Sequence, residues 1–238
     1  VRLIVPFPQG GVTDLLGRLV AERMKDAGYT MIVDNRPGAS GHVGAELAAR
    51  SPGDGYTLIA GTIGIHAAYM IYDKLNYDPA TELKPVMVLG DSPNVLVVPA
   101  NSPFRTFGDF LAAAKAQPGK LNYGSAGPGS SIFMVTALFE QATGVRMNHV
   151  PYKGSGPALV DLIGGQIDLM FENLGSGLPH IQSGKLRALA VTGQKRDPRL
   201  PGVPTVDESG VTGFAAGSWF TLAAPASSTP HASQLACS

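Results

Sequence analysis

Short apolar runs alternate with amphipathic stretches along almost the whole chain, and a glycine, serine or threonine marks most of the changes between them. The run "RLIVPF" predicts a strand, and "TDLLGRLVAERMKDAG" then carries apolar residues at helical spacing as far as Gly28. A strand followed by a helix or helical turn recurs at "YTMIVD", "DGYTLIAG", "LNYGS", "MNHVPY" and "IDLMFEN". Strands separated by helices predict an α/β fold, in which helices cover a parallel sheet.

The strand–helix pattern falls into two halves. Extended segments near 94–100 and 217–225 have the length and apolar character of strands that cross from one half to the other. We therefore expect two α/β lobes with a ligand cleft between them. Lobe 1 is predicted to comprise residues 1–98, joined by residues 221–238, and lobe 2 residues 99–220.

Charge and cysteine content exclude several classes of protein. The 18 basic and 18 acidic residues balance, so nothing indicates a nucleic-acid partner or an anionic membrane surface. The longest apolar runs, such as "NVLVVPA", are far shorter than the ~20 residues that span a bilayer. The single cysteine, Cys237, excludes a disulfide framework and a cysteine-based zinc site, and it is compatible with an oxidising compartment.

Catalytic and cofactor motifs are missing from the sequence. It contains no G-x-S-x-G elbow, no phosphate-binding G-x-x-x-x-G-K-[ST] loop and no H-E-x-x-H motif. The five histidines are not spaced as metal ligands, and "GSAGPGSS" departs from the dinucleotide-binding glycine pattern. We therefore expect no enzyme, no metal and no cofactor. An enzyme using the same cleft stays a less favoured alternative, because it would need a nucleophile or base that the sequence does not offer.

Four loops rich in glycine, serine or threonine each follow a predicted strand and precede a predicted helix: 6–14, 60–64, 124–131 and 151–158. In a parallel sheet such loops share the carboxyl edge, where ligands bind. Thr13 is predicted as a helix N-cap, with Asp14 in the first turn. Such loops also occur as plain turns, but four of them together favour binding. The predicted contacts from these loops and the nearby aromatic residues are Phe7, Gly10, Gly11, Thr13, Asp14, Gly61, Thr62, Ser125, Ala126, Gly127, Gly129, Ser130, Ser131, Tyr152, Lys153 and Phe171.

Several long segments in the same order carry a family resemblance: "VRLIVPFPQGGVTDLLGRLVAERM", "VDNRPGASGHVGAELAAR", "DGYTLIAG", "LNYGSAGPGSS", "VPYKGSGPALVDLIGGQIDLMF" and "ALAVTGQKRDPRLPGVPTVDESG". Together they resemble the Bug family, the TctC-like extracytoplasmic solute receptors of tripartite tricarboxylate transporters. The resemblance implies a type II periplasmic-binding-protein fold, a monomer without catalysis, and a periplasmic location after removal of a signal peptide. It also implies membrane partners similar to TctA and TctB, although a sensor that reports the ligand to a signalling partner would use the same cleft.

The resemblance further implies the ligand class. Family members bind small organic acids, which include mono-, di- and tricarboxylates, aromatic acids and amino acids. One carboxylate is held mainly by backbone N–H groups of two loops, which correspond here to Gln9–Asp14 and Ser125–Ser131. Gln9 stands where relatives usually have proline, so its side-chain amide is expected to reach the ligand.

Two further departures from the family pattern matter. Glu172 replaces the more frequent aspartate; in the family this acid often lies near the far end of the ligand, where it accepts a hydrogen bond from an amine or hydroxyl or excludes a second carboxylate. The segment "HASQLACS" does not resemble the helical region that continues in relatives and packs on the first lobe. We therefore expect C-terminal helices to be missing and an apolar patch to be exposed on lobe 1.

Overall fold

The computed structural model describes residues 1–67 and 69–228. In these ranges the strands are β1 (Arg2–Val5), β2 (Ile32–Asn35), β3 (Thr57–Thr62), β4 (Leu83–Pro99), β5 (Asn122–Ser125), β6 (Asn148–Pro151), β7 (Met170–Asn173), β8 (Leu186–Val191) and β9 (Gly217–Pro225). The α-helices are α1 (Val12–Asp26), α2 (His42–Ala49), α3 (Ile63–His66), α4 (Phe107–Ala116), α5 (Ser131–Thr143), α6 (Ser155–Ile163) and α7 (Leu174–Gln182). Cys237 and the predicted return of residues 229–238 to lobe 1 lie outside the described residues.

The chain divides into two compact units. Unit 1 consists of Val1–Asp91 together with the chain from Trp219 onwards, and unit 2 is Ser92–Ser218. The chain passes from one unit to the other inside β4 and again inside β9. The boundaries expected from the sequence, 98/99 and 220/221, fall within the same two strands.

Unit 1 is built on the strand order β2–β1–β3–β9. Strands β1, β2 and β3 are parallel, and β9 is antiparallel to β3. Leu3, Ile4 and Ile59 are fully or almost fully buried, as expected for parallel strands covered on both faces. Because β1 and β3 run in the same direction, the loops that follow them meet at one edge of the sheet.

Unit 2 repeats this plan with different strands. β5 and β6 are parallel and in register from Asn122 to Ser125. A parallel bridge joins Tyr123 to Leu169, just before β7, and β4 runs antiparallel to β7 and β8. Aromatic side chains dominate its core, where Phe110, Phe139 and Phe171 are fully buried. The carboxyl ends of β5, β6 and β7 therefore share an edge.

Local capping residues explain several helix boundaries. Thr106 and Asp109 form a complete capping box at the start of α4, as their spacing predicts. α5 begins after Ser130, whose side chain accepts from the Phe133 amide, and ends at Gly144 in the left-handed conformation.

Other predicted boundaries were wrong. α1 begins at Val12 with Gly11 as the N-cap, so Thr13 is the second residue of the helix and not its cap. The stretch "LPHIQSGK" predicts only a short helical turn. The structure has the nine-residue helix α7 there, which starts directly after β7 and contains Pro179. Proline lacks the amide that a helix interior needs, and this local penalty is outweighed by the packing of α7 on the strands. The helix predicted from "TIGIHAAYMIY" is α-helical only over Ile63–His66.

An apolar groove of about 230 Å³ lies on the surface of unit 1. Its walls come from α1, β3, β4 and β9, and Leu19 and Met87 in these walls are 48% and 41% exposed. The groove lies on the lobe for which the sequence predicts an exposed apolar patch. None of the helices in the described part of the chain combines the length and apolar character needed to cross a bilayer.

The close packing of α2 against the residues that follow β1 and β2 gives a first prediction. A Cβ atom at Gly44 would lie 2.9 Å from the Arg36 carbonyl oxygen and 3.0 Å from Pro6 Cα, and both are backbone atoms. Gly44→Ala should lower the free energy of unfolding by about 1–3 kcal/mol in denaturant melts, because backbone must move to admit the methyl group. Gly202→Ala, which meets nothing within 4 Å, is the control, and an equal loss in both variants would contradict the packing account.

Candidate functional site

The carboxyl edge of unit 1 begins with the turn between β1 and α1. Gly10 has φ of +90°, a conformation that side chains other than glycine rarely adopt. Gln9 and Gly10 are exposed, whereas Gly11 is buried. Phe7 is also buried, and a Cβ atom at Gly41 would lie 3.2 Å from its ring. Phe7 thus packs under the turn, within the unit.

Asp14 holds this turn in place. One of its carboxylate oxygens accepts from the Gly10 amide at 3.2 Å and from Arg18, and the other accepts from the Asn35 side chain at 3.0 Å. Asn35 also donates to the Phe7 carbonyl at 3.0 Å. Burial raises the pKa of Asp14, but the bonds from Arg18, Asn35 and Gly10 outweigh it and lower the pKa below its ordinary value. The ionised Asp14 carboxylate therefore fixes the turn, and the Gly10 amide already donates to it.

The Gly11 amide remains available. No side chain caps α1, and the Gly11 N–H donates to no protein acceptor within residues 1–67 and 69–228. It stands at the start of a 15-residue helix, where unpaired amides and the helix dipole favour an anion.

Three residues missed by sequence reasoning complete the edge of unit 1. The His66 ring stacks on Trp219 with centroids 5.9 Å apart, and its Nε2 lies 3.0 Å from Thr221 Oγ1. A Cβ atom at Gly61 would lie 2.3 Å from both His66 Nε2 and Thr221 Oγ1, so glycine at 61 makes room for the pair. Burial lowers the pKa of His66 and keeps the ring neutral. Trp219 is more than 150 residues away in sequence, and no local pattern links them.

The corresponding edge of unit 2 is the turn from β5 to α5. Ser125 Oγ lies 2.6 Å from His149 Nε2 and accepts from the Gly127 amide at 3.0 Å. The hydroxyl predicted to meet a ligand thus shapes the turn, and Ser130 likewise caps α5. Burial lowers the pKa of His149. In the described part of the chain, the amides of Ala126 and Gly129 donate to no protein acceptor.

The remaining predicted contacts differ in burial and in hydrogen bonding. Thr62 is the buried last residue of β3, and Ser131 is the half-buried first residue of α5. Lys153 is exposed, and Tyr152 donates its hydroxyl to Asp161 at 2.7 Å. Phe171 is fully buried in the core with its ring 4.9 Å from that of Phe139. This burial favours a core aromatic, and the predicted ligand contact of Phe171 stays a prediction.

Glu172 is fully buried at the carboxyl end of β7. Its Oε1 accepts from the Ser176 hydroxyl at 2.5 Å, and its Oε2 has no hydrogen-bond partner in the described residues. Burial raises the pKa of this carboxyl to about 7, although Ser176, Ser155 and the Asn173 amide act to lower it. The Ser155 hydroxyl is near enough to affect that pKa, yet its Oγ makes no hydrogen bond among the described residues. The two groups are thus neighbours without a formed bond.

Within the described ranges, no group of three or more histidine, cysteine, aspartate or glutamate side chains is placed to hold a metal ion. Among the described residues, each edge instead offers backbone amides without protein acceptors, and Gly11 and Ala126 each lie next to an amide that a side chain binds. This is a geometry for an anionic group with several acceptor oxygens.

Comparison with known proteins identifies the family. Residues 16–235 match the model of the tripartite tricarboxylate transporter family receptor, TctC. The chain belongs to the TctC family. Its members, which include Bug proteins, are periplasmic solute-binding receptors.

Solved TctC-type structures share this fold over almost the whole chain. Rpa4515 of R. palustris with adipate is 42% identical, with a TM-score of 0.96 over 99% of this chain and 80% of that one. The periplasmic binding protein BugD is 34% identical, with a TM-score of 0.94 over 99% and 79%. MatC of Rhodopseudomonas palustris with malate is also 34% identical, with a TM-score of 0.92 over 99% and 81%. The predicted α/β periplasmic-binding fold is confirmed.

The buried carboxyl of Glu172 gives a prediction about stability in this TctC-family chain. Because burial raises the pKa of Glu172 to about 7, the folded protein binds the proton more tightly than the unfolded chain does. Stability should therefore fall as pH rises from about 4.5 through about 7, by up to about 3 kcal/mol. Glu172→Gln should remove that part of the slope.

Denaturant unfolding from pH 5 to pH 8.5 measures the effect. Glu22→Gln, at an exposed position of α1, serves as the control and should keep the wild-type slope. The assignment fails if Glu172→Gln and Glu22→Gln give the same pH dependence.

Proposed function

We propose that this protein is a periplasmic receptor that captures a small organic acid between its two lobes and delivers it to a tripartite tricarboxylate-type membrane transporter. One observation carries the proposal: each unit presents, at the turn between a strand and a long helix, backbone amides that have no protein acceptor among the described residues. In unit 1 these include the Gly11 amide, and in unit 2 those of Ala126 and Gly129.

A carboxylate suits these amides physically. Hydrogen bonds from a neutral donor to a charged acceptor contribute about 1.5–3 kcal/mol each, and a helix N-terminus adds a favourable dipole. A few such bonds with burial of the apolar part of the ligand reach micromolar affinity, about −8 kcal/mol, after ordering and desolvation costs. No arginine is needed in the turns. The structures of Rpa4515 with adipate and MatC with malate are consistent with this class of ligand.

The proposed site consists of the amides of Gln9–Asp14 and Ser125–Ser131 with Gly61, Thr62 and Lys153 nearby. The hydrogen bonds of the Asp14 and Ser125 side chains to the turns divide these residues by role. Asp14 and Ser125 hold the turns, and the unpaired amides beside them make the contacts. The exposed Gln9 side chain is free to reach the ligand, as its departure from the family proline suggests.

Titration calorimetry with a panel of solutes tests the ligand class. We expect adipate, malate, succinate, citrate or an aromatic acid to bind in the micromolar range. Glucose and putrescine, which lack an acid group, are the controls and should give no heat. Binding of the controls alone would reject the proposal.

The amide at Gly11 provides a sharper test. Its φ of −85° is close to the value that proline imposes, so Gly11→Pro removes the N–H with little change in φ at this residue. We expect the dissociation constant for the best acid to rise about ten- to a hundredfold, the value of one charge-assisted bond. Gly11→Ala keeps the amide and should bind more tightly than Gly11→Pro. Equal affinity of the two variants, with unchanged melting temperatures, would show that the amide makes no contact.

Delivery is tested separately. Vesicles containing TctA- and TctB-like subunits should accumulate the labelled acid only when this protein is added to the outside. Equal accumulation without the protein would contradict the transport role, while binding to a sensor kinase instead would support the signalling alternative.

A further inference from the structure

His149, in β6, contacts both ends of the turn between β5 and α5. Its Nε2 atom lies 2.6 Å from the Oγ atom of Ser125, where the turn begins. Its ring also packs against that of Phe133, in the first turn of α5, with centroids 4.9 Å apart. One side chain from a neighbouring strand therefore touches the residues between which the free amides of unit 2 lie.

Strand pairing and aromatic packing set the orientation of the His149 ring. In the parallel register of β5 and β6, Tyr123 lies beside His149. The two rings stack with centroids 4.9 Å apart and planes inclined by 20°. Tyr123 is buried in the core of unit 2, so it gives the histidine ring a fixed surface. The imidazole is thus held by its neighbours in the position from which Nε2 reaches Ser125.

The Ser125 hydroxyl decides which tautomer of His149 is present. Ser125 is 0% exposed, and its Oγ already accepts from the Gly127 amide at 3.0 Å. Within the described ranges, the other partner of this oxygen is His149 Nε2. If Nε2 carried a proton, the Ser125 hydroxyl proton would be buried without an acceptor, which is unfavourable. The Ser125 hydroxyl therefore donates to an unprotonated Nε2.

The second ring nitrogen of His149 can carry the proton instead. Nδ1 is not among the buried side-chain atoms of the described residues that lack a hydrogen-bond partner. The ring is only half-buried, so solvent can accept the Nδ1 proton. Burial lowers the pKa of His149, which keeps the ring neutral at pH 7.5. Both nitrogens are therefore satisfied in a neutral ring that is protonated on Nδ1.

We propose that His149 is a positioning residue for the acid-binding amides of unit 2: its neutral ring accepts the Ser125 hydroxyl proton, and Ser125 in turn holds the Gly127 amide. This inference rests on the proposed function, because an ordered turn aids binding only if an acid meets its free amides. Gly127 and Gly129 have φ of +106° and +79°, so this turn is flexible unless side chains fix it. Fixing it before the ligand arrives lowers the entropy cost of binding. The ligand contacts are the amides of Ala126 and Gly129, and His149 acts only through Ser125.

The first test uses the wild-type chain without ligand. Long-range proton–nitrogen correlation spectra of nitrogen-15-labelled protein at pH 7.5 distinguish the two tautomers of a neutral histidine. We expect the His149 ring to carry its proton on Nδ1. A ring protonated on Nε2 would overturn the proposal, because such a nitrogen donates to Ser125 and cannot accept from it. This measurement does not depend on the folding of any variant.

Binding to two variants separates hydrogen bonding from packing. Phenylalanine keeps an aromatic ring beside Tyr123 but has no acceptor, so His149→Phe should raise the dissociation constant about three- to tenfold. Glutamine supplies an acceptor oxygen, so His149→Gln should recover most of that loss. His180→Phe, at a half-buried position near the end of α7, is the matched control and should bind like the wild type. The probe is whichever of adipate, malate, succinate and citrate binds the wild-type chain most tightly.

A double-mutant cycle tests whether His149 acts through Ser125. Ser125→Ala alone should weaken binding by a similar factor, and His149→Phe added to it should cause no further loss. Losses that multiply, or equal weakening in His149→Phe and His149→Gln, would overturn the positioning role and leave the receptor function intact. If no organic acid binds the wild-type chain, the proposed function fails, and the role of His149 in acid binding fails with it.

Discussion

The structure depends on one arrangement found in both units: a side-chain oxygen fixes a turn by binding one of its amides, while other amides of the same turn have no acceptor among the described residues. In unit 1 the Asp14 carboxylate binds the Gly10 amide, and in unit 2 the Ser125 hydroxyl binds the Gly127 amide. A flexible glycine turn would lose much of its binding energy to ordering. Fixing the turn in advance avoids that loss, and it keeps the free amides at helix starts where an anion is favoured.

The two side chains that fix the turns, Asp14 and Ser125, have polar partners of their own. Asn35 and Arg18 satisfy the Asp14 carboxylate, and His149 lies within hydrogen-bond distance of Ser125 while its ring stacks on Tyr123. Asn35 and His149 come from other strands of the same unit, whereas Arg18 lies one turn further along α1. The charge of Asp14 is therefore matched by Arg18, and a ligand anion at Gly11 does not face an uncompensated carboxylate. This resolves the apparent conflict of an aspartate three residues from a proposed carboxylate site.

Glu172 shows the opposite solution for a buried acid. In the part of the chain that the structure describes, it has hydroxyl neighbours but no cation, so burial dominates and raises its pKa to about 7. Acids in the two units thus differ in charge for a physical reason. Asp14 is ionised because it has an arginine and an amide as donors, and Glu172 tends to neutrality because only Ser176 donates to its carboxyl oxygens in the described side-chain contacts.

The sequence by itself determined the α/β class, most strands, the capping box of α4 and the turns that carry the amides, because these depend on residues close together in the chain. Its long motifs also determined the family. Only the tertiary structure decided which atoms of the turns are free, since Asp14 and Ser125, which take the Gly10 and Gly127 amides, are held by Asn35 and His149, 21 and 24 residues away. It also placed Phe171 in the core, brought His66 to Trp219 and buried Glu172 among hydroxyl groups. These outcomes depend on contacts between residues distant in sequence, and on the burial that sets the charge of an acid.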